Sequence, residues 1–269
     1  MELLKTIKKI LKRALPRDLV LAIKKVRHAE KIRMVSVDDE PDFRPIASLV
    51  KPGDSVIDLG ANMGFYTKYF SDLVGPTGKV YSVEPIPRTV QILRYVVRKL
   101  GMTNVQVINC AVSDSARMVT MEIPLFESGE ENIFEAKIVT GASSSRFETV
   151  HVESKTVDAL VSEIPAAVTF IKCDIEGHEL QGLKGAPRVL NEVKPAWLIE
   201  IWGNPDETGS KAQETFSVFE ASGYGGYWFD GTSMRRRMPG ETSVNYFFLM
   251  PAHLQTLKDE RLFGAGERA

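Results

Sequence analysis

The sequence is poor in cysteine: 269 residues contain two, Cys110 and Cys173. Two thiols make no disulfide framework of the kind that staples small secreted domains. Long apolar runs are also missing, since none reaches the ~18–20 residues that cross a bilayer. The lysine-rich start lacks the uninterrupted apolar stretch of a signal peptide, so a reducing cytoplasm is the simplest compartment. Internal repeats and low-complexity tracts are absent. Charge of one sign is scarce as well: 34 Lys and Arg against 35 Asp and Glu give −1, which argues against bulk nucleic-acid binding. Of the four histidines, His28, His151 and His253 share no metal-ligand spacing and read as ordinary polar residues.

The even balance hides an asymmetry. Residues 1–35 carry eleven Lys and Arg against three acids, a charge of +8, which leaves the other 234 residues at −9. In this segment Leu3, Leu4, Ile7, Ile10, Leu11, Ala14 and Leu15 recur at helical spacing with lysines opposite. Pro16 ends or restarts that helix, and Leu19, Ile23 and Val26 predict a second. A basic amphipathic extension of this kind either packs on the main domain as a lid or lies on an anionic membrane surface. The polar stretch "SVDDEPDFRP" leads into a main domain expected over residues 36–269, whose hydrophobic content is ordinary for a chain able to bury a large core.

Within that domain strand and helix signals alternate. "DSVIDLG" has the length and composition of a buried strand, and Phe65 to Val74 reads as a helix. "GPTG" marks a turn, and "KVYSVEP" a second strand before a helix from Pro87 to Leu100 stopped by Gly101. "NVQVINCAV" is a third strand, "RMVTMEIPLFE" an extra one, and residues 127–146 a long polar loop. Thr156 is placed to cap a short helix through Val161. "VTFIKCDIEG" and "PAWLIEIWG" are further strands. Between them runs a helical stretch from Glu179 towards Asn191, interrupted around Gly185 and Pro187. After a helix from Ala212 to Ala221, "GYWFDG" and "NYFFLMP" leave no room for a crossover helix, so they should pair antiparallel. The pattern predicts an α/β fold with a mainly parallel sheet covered on both faces, and ligands at the carboxyl ends of its strands.

One such end is "VIDLGANMG". Gly60 and Gly64 would let the backbone approach a ligand, and Asn62 tolerates left-handed geometry. Glu84 ends the second strand, where a carboxylate can accept hydrogen bonds from both hydroxyls of a ribose. The spacing D-x-G-x-N-x-G is not the G-x-G-x-x-G of dinucleotide sites. An acid ahead of the turn suits a cationic ligand, so the electrostatics favour S-adenosylmethionine, with its sulfonium and ammonium groups, over NAD.

"VIDLGANMGFYTKYF", "VYSVEPIP", "VINCAVSD" and "FIKCDIEGHELQGLKGA" resemble, in that order, the FkbM family of S-adenosylmethionine-dependent methyltransferases. The resemblance spans about residues 45–250. It implies a class I, Rossmann-like fold with a seven-stranded sheet, and O-methylation of a hydroxyl on a sugar, glycan or secondary metabolite. Carried over by position, Asp58, Gly60, Ala61, Asn62 and Gly64 would line the methionine end of the donor, Glu84 would hold the ribose, and Asn109, Cys110 and Ala111 would lie near the adenine. His178 stands where many family members have a small residue. In the implied strand order Cys110 and Cys173 lie three strand spacings apart, about 14 Å, beyond the ~7 Å a disulfide allows.

The stretch "CDIEGHE" adds an acidic cluster at a strand end. Asp174, Glu176 and His178, with Glu200 from the next strand, could orient a hydroxyl, take its proton, or hold a cation such as Mg²⁺ through oxygen. Glu176 and Glu179 also suit a helix start for reasons of charge alone. "MRRRM" at 234–238 reads as a solvated hairpin loop. Trp197, Trp202 and Trp228 read as core or rim aromatics, with Trp202 close enough to a strand end to stack on a sugar ring. Two rival readings stand beside the methyltransferase: an NAD-dependent oxidoreductase, disfavoured by the missing glycine fingerprint, and an inactive methyltransferase-fold scaffold at a membrane.

Overall fold

The computed structural model describes residues 17–125, 136–139 and 147–263. Strand β1 (Ser55–Leu59) is buried at every position. β2 (Lys79–Val83), β8 (Val168–Cys173) and β9 (Ala196–Glu200) are nearly so. Burial without alternation marks strands covered on both faces. Together with β3 (Val105–Ile108), β10 (Gly225–Phe229), β11 (Met234–Arg236) and β12 (Asn245–Leu249) they form one sheet in the order β11-β10-β12-β9-β8-β1-β2-β3. The five strands from β9 to β3 run parallel, and β12 lies antiparallel between β9 and β10. The main sheet therefore has eight strands rather than seven. The eighth, β11, comes from the arginine stretch expected as a solvated loop, pairs antiparallel with β10, and is followed by Arg237, which pairs with Asp206 and lies over the Phe216 ring.

Helices cover both faces: α1 (Arg17–Arg33), α2 (Phe43–Leu49), α3 (Phe65–Val74), α4 (Pro87–Lys99), α5 (Val157–Ser162), α6 (Glu179–Lys184), α7 (Lys211–Ala221) and α8 (Pro251–Asp259). Two cores result. One gathers Ile57, Leu59, Ile171, Trp197, Phe219 and Phe248; the other gathers Phe43, Val56, Phe70, Phe170, Leu198 and Phe247. Thr156 caps α5 as expected, its hydroxyl accepting the Ala159 N–H at 3.1 Å. The interrupted stretch after Glu179 resolves into α6 and a π-turn over Val189–Val193.

The expected first helix over residues 3–15 lies outside the described residues. The second is α1, and it packs its Ala29 and Ile32 on Ile92, Val96 and Met102. Leu19, Ile23 and Val26, expected to form its apolar stripe, face outward at 46%, 43% and 47% exposure. The polar stretch after α1 is more than a connector, because Glu40 from it reaches the site described below.

The larger departure is a second sheet, β4-β7-β5-β6, built from β4 (Ala111–Val112), β5 (Arg117–Pro124), β6 (Lys137–Val139) and β7 (Phe147–Lys155). The expected third strand splits at Asn109 and Cys110: β3 stays in the main sheet while β4 pairs with β7. β7, which carries no element in the sequence reading, turns Val152 and Ser154 inward with exposed residues between them, the alternation of a half-buried strand. Part of the expected loop over 127–146 is the buried Ala136 and β6, and the rest lies outside the described residues. Cys173 and Cys110 fall at opposite ends of the β8-β1-β2-β3 run, and both are buried free thiols.

Candidate active site

The parallel strands all end at one edge, where the loops after β1, β2, β3, β8 and β9 converge. In the first loop Gly60, Asn62 and Gly64 have φ of 76°, 48° and 97°, the left-handed geometry that their residue types tolerate. The reason for glycine at 60 differs from the expected one. A Cβ there would sit 1.7 Å from the Asp174 carbonyl oxygen, so it is the neighbouring loop that excludes a side chain. At Gly64 a Cβ would come within 2.8 Å of Leu93, so that position faces helix α4. Backbone bonds fasten the arrangement: Gly60 and Ala61 N–H both donate to Val83 O at 3.0 Å, and Asp174 N–H to Leu59 O at 3.1 Å.

Two cavities open along this edge. The first, about 580 Å³, is walled by Gly60, Asn62, Glu84, Cys110 and Ala111, by Asp174, Glu176 and His178, and by apolar side chains that include Ile86, Val112, Met121 and Ile138. Of the nine residues expected at the donor, Asp58, Ala61, Gly64 and Asn109 are not on its walls. Asp58 is fully buried, and its Oδ2 accepts the Thr67 hydroxyl at 2.7 Å. Asn109 is exposed, and its Nδ2 donates to the carbonyls of Glu84 and Pro85 at 2.9 and 2.8 Å, so it ties the loop that carries Glu84. Glu84 is 5% exposed, with Oε2 accepting the Asn62 N–H at 3.0 Å and Oε1 the Ile86 N–H at 2.9 Å. Burial pushes its carboxyl up to about 7. Burial likewise raises the Cys110 thiol to about 11, which makes it a wall rather than a nucleophile.

His178 belongs to this first cavity. Its Nε2 lies 3.0 Å from Ser113 Oγ, and burial lowers its pKa, which favours a neutral imidazole. Glu179 alone performs the helix-start role that sequence shared between two residues: its Oε1 accepts the N–H groups of Ile175 and Gly177 at 2.9 and 3.0 Å. Glu176 sits in left-handed backbone, φ 56°, and points into the cavity region instead.

The second cavity, about 460 Å³, is polar, with Glu40, Tyr66, Lys172, Asp174, Glu200 and Asn245 on its walls. Asp174 is common to both cavities. Carboxylate oxygens of Asp174, Glu176 and Glu200 lie within 4.8 Å of one another. Burial, and next the charge of Asp174, pushes Glu176 and Glu200 each up to about 7. Glu200 also shares a hydrogen bond with Asp174 and accepts one from the 65%-exposed Trp202 at the rim.

Lys172 is the residue that sequence reasoning missed. Its Nζ lies 3.0 Å from Asp174 Oδ2, 3.8 Å from Asp58 Oδ1 and 3.4 Å from the Gly60 carbonyl, 4.9 Å from the centre of the Tyr66 ring. Burial opposes its charge, but Asp174 and Asp58 outweigh that and raise its pKa. A signal was present. Asp58 and Lys172 are each the one charged residue of an otherwise apolar or small-polar strand, and the register pairs them. Glu40 and Asn245 gave no such signal, because only the folded chain brings them together.

The first cavity fits S-adenosylmethionine. Asn62 Oδ1 and Asp58 Oδ1 are buried without hydrogen-bond partners, a costly state that a cationic ligand relieves at Asn62 on the cavity wall. Glu84 is a carboxylate on the same wall that could accept a diol, and the far end is apolar. Five parallel strands in this order, an antiparallel strand inserted beside the last, and an acidic carboxyl-edge site define a class I methyltransferase fold.

Residues 58–225 match the methyltransferase FkbM domain, and the chain belongs to that family. Over 75 residues it is 33% identical to protein-L-isoaspartate O-methyltransferase 2 of Archaeoglobus fulgidus, covering 28% of this chain and 33% of that protein. A second match, to protein-L-isoaspartate O-methyltransferase of Ignicoccus hospitalis, is 36% identical over 62 residues, 23% of this chain and 29% of the relative. The chain thus spans about a third of the length of these curated relatives. Among solved structures, methyltransferase FkbM from Methylobacillus flagellatus KT is 20% identical with a TM-score of 0.47, covering 78% of this chain and 50% of the other. Fibrillarin of Aeropyrum pernix, with natively bound S-adenosyl-L-methionine, is 14% identical with a TM-score of 0.43, covering 74% and 67%.

Proposed function

We propose that this chain moves the methyl group of S-adenosylmethionine to a hydroxyl of a sugar, glycan or secondary metabolite seated in the second cavity, with Asp174 as proton acceptor. One observation carries the reading: Asp174 is the acidic side chain that the donor cavity and the polar cavity share. The donor supplies a methyl group made electrophilic by its sulfonium. A hydroxyl is a weak nucleophile until its proton is taken, so a positioned carboxylate is the group such a transfer needs. Lys172 fixes Asp174 from one side and offsets part of the cluster's negative charge. Glu200, carrying a proton in its bond to Asp174 near neutral pH, leaves Asp174 as the acceptor. His178 stands on the donor side with its Nε2 already engaged by Ser113, which supports Asp174 over it as the base.

Asp174, Glu176 and Glu200 would also offer oxygen ligands to Mg²⁺. The donor set fits poorly. A dication ~5 Å from the Lys172 ammonium would be repelled by about 7 kcal/mol even at an effective dielectric of 20, and the ammonium already occupies one carboxylate. Turnover should therefore survive EDTA. Asp174→Asn should bind S-adenosylhomocysteine nearly as tightly as the unaltered protein by calorimetry. Its turnover, measured with labelled donor and extracts of the native cells, should fall by about 100-fold or more, the scale of general acid–base catalysis. A wild-type rate would remove Asp174 from the mechanism. Tight NADH binding without S-adenosylhomocysteine binding would favour the oxidoreductase reading instead.

A peripheral membrane contact through residues 1–35 completes the proposal. Its support is the outward stripe of Leu19, Ile23 and Val26 beside Lys24, Lys25 and Arg27 on α1. Among the described residues no helix is long and apolar enough to cross a membrane.

A further inference from the structure

The second sheet has a small core of its own, in which Val119, Met121 and Ile123 of β5 and Val152 of β7 are buried. Two other members of that core come from the donor site. Ile86 lies two residues after Glu84 in the loop after β2, and Ala111, next to Cys110, opens β4 of the sheet itself. The packing continues into the cavity: Met121 of β5, Ile138 of β6 and Val112 of β4, all from the second sheet, line it, as does Ile86 from the loop after β2. Strand alternation sorts the faces. Met121 is 5% exposed, while Met118 is 61% exposed and Thr120 faces outward, its hydroxyl 3.1 Å from His151 Nδ1.

The cavity is thus polar at the Asn62 and Glu84 end and apolar at the end the second sheet closes. A flat aromatic base has two faces to bury, and of these apolar side chains the donor loops contribute Ile86 alone. A methionine thioether is well suited to lie against such a ring. We propose that the second sheet is the missing wall of the adenine slot, with Met121, Ile138 and Val112 facing Ile86 across the base. The inference rests on the donor occupying the first cavity. It has a thermodynamic corollary: a ligand that fills the slot holds the sheet against the loops, so donor binding and local stability of β5, β6 and β7 are linked.

The test uses the full chain and two probes. S-adenosylhomocysteine carries the whole donor skeleton, and 5′-methylthioadenosine keeps the adenosine while lacking the amino-acid end. By calorimetry, Met121→Ala and Ile138→Asn should each weaken both probes by about tenfold and by the same factor, whereas Thr120→Ala on the outer face should bind both normally. Equal loss for the two probes places the contact on the adenosine half of the donor and away from its amino-acid end. Amide hydrogen exchange on the unaltered protein avoids dependence on the variants' folding: 5′-methylthioadenosine should slow exchange in residues 117–124, 137–139 and 147–155. Unchanged affinity in both variants, or protection confined to the loops after β1, β2 and β3, would overturn the proposal. Failure of the unaltered protein to bind S-adenosylhomocysteine would instead overturn the donor-site assignment on which it stands.

Discussion

Lys172 shows how much one buried charge can organise. Its ammonium meets two carboxylates, a carbonyl and an aromatic face within 5 Å, while its side chain is 7% exposed. Removing one member of a buried ion pair leaves the partner desolvated and unpaired, at a cost of about 3–5 kcal/mol. Lys172→Met should lower unfolding free energy in urea by that order. The double variant Asp58→Asn with Lys172→Met should recover part of the loss, since one stranded charge is then gone. Additive losses in that cycle would mean the two residues do not interact. The sequence announced Asp174, Glu84 and the left-handed Asn62, because strand ends and glycine turns have local signatures. It could not announce Glu40, Tyr66 or Asn245, whose role comes from non-local packing.

Among the elements, the five parallel strands and their helices were readable because each carries its own apolar period and punctuation. The second sheet was half legible. β5 had an apolar alternation, but β4 is two residues long and takes its meaning from β7, which lies far along the chain. Helix α1 illustrates the opposite problem: its spacing predicted a helix correctly while the stripe that looked like its inner face points outward. What it buries is Ala29 and Ile32, against Ile92, Val96 and Met102. Deleting residues 1–35 should expose that patch and lower stability by at least ~2 kcal/mol at about 1.5–3 kcal/mol per large apolar side chain, visible as a lower thermal midpoint. The same pair of proteins, spun with anionic vesicles at low salt, tests the membrane contact. Equal pelleting of both would end it.

Over the whole molecule, protonation couples the site to the fold. Glu84, Glu176 and Glu200 are each raised to about 7, from a model-peptide value near 4.5. Between those values the folded chain holds protons that the unfolded chain has released, so stability falls as pH rises through that window. Asp230, held near 2 by backbone N–H groups and Arg235, acts the other way and only below the usual carboxylate range. Thermal midpoints should therefore decline from pH 5 to pH 8, and Glu200→Gln should flatten the decline. His28, His178 and His253, whose pKa values burial lowers, oppose the decline, so the difference between the two proteins decides: an equally steep profile in Glu200→Gln would contradict the raised Glu200 carboxyl.

The polar cavity draws its walls from separate stretches of chain: Glu40 ahead of α2, Tyr66 on α3, Glu200 at the end of β9 and Asn245 opening β12. The loops that wall the first cavity are locked by backbone contact, where Gly60 has no room to vary. Glu40 can therefore vary without touching those loops, whereas Asn245 also holds the buried Asp42 carboxylate, donating from Nδ2 at 2.7 Å. If the acceptor sits in the polar cavity as proposed, acceptor choice and donor chemistry rest on separate parts of the chain, and Glu40 is the wall position at which a change of acceptor should be sought.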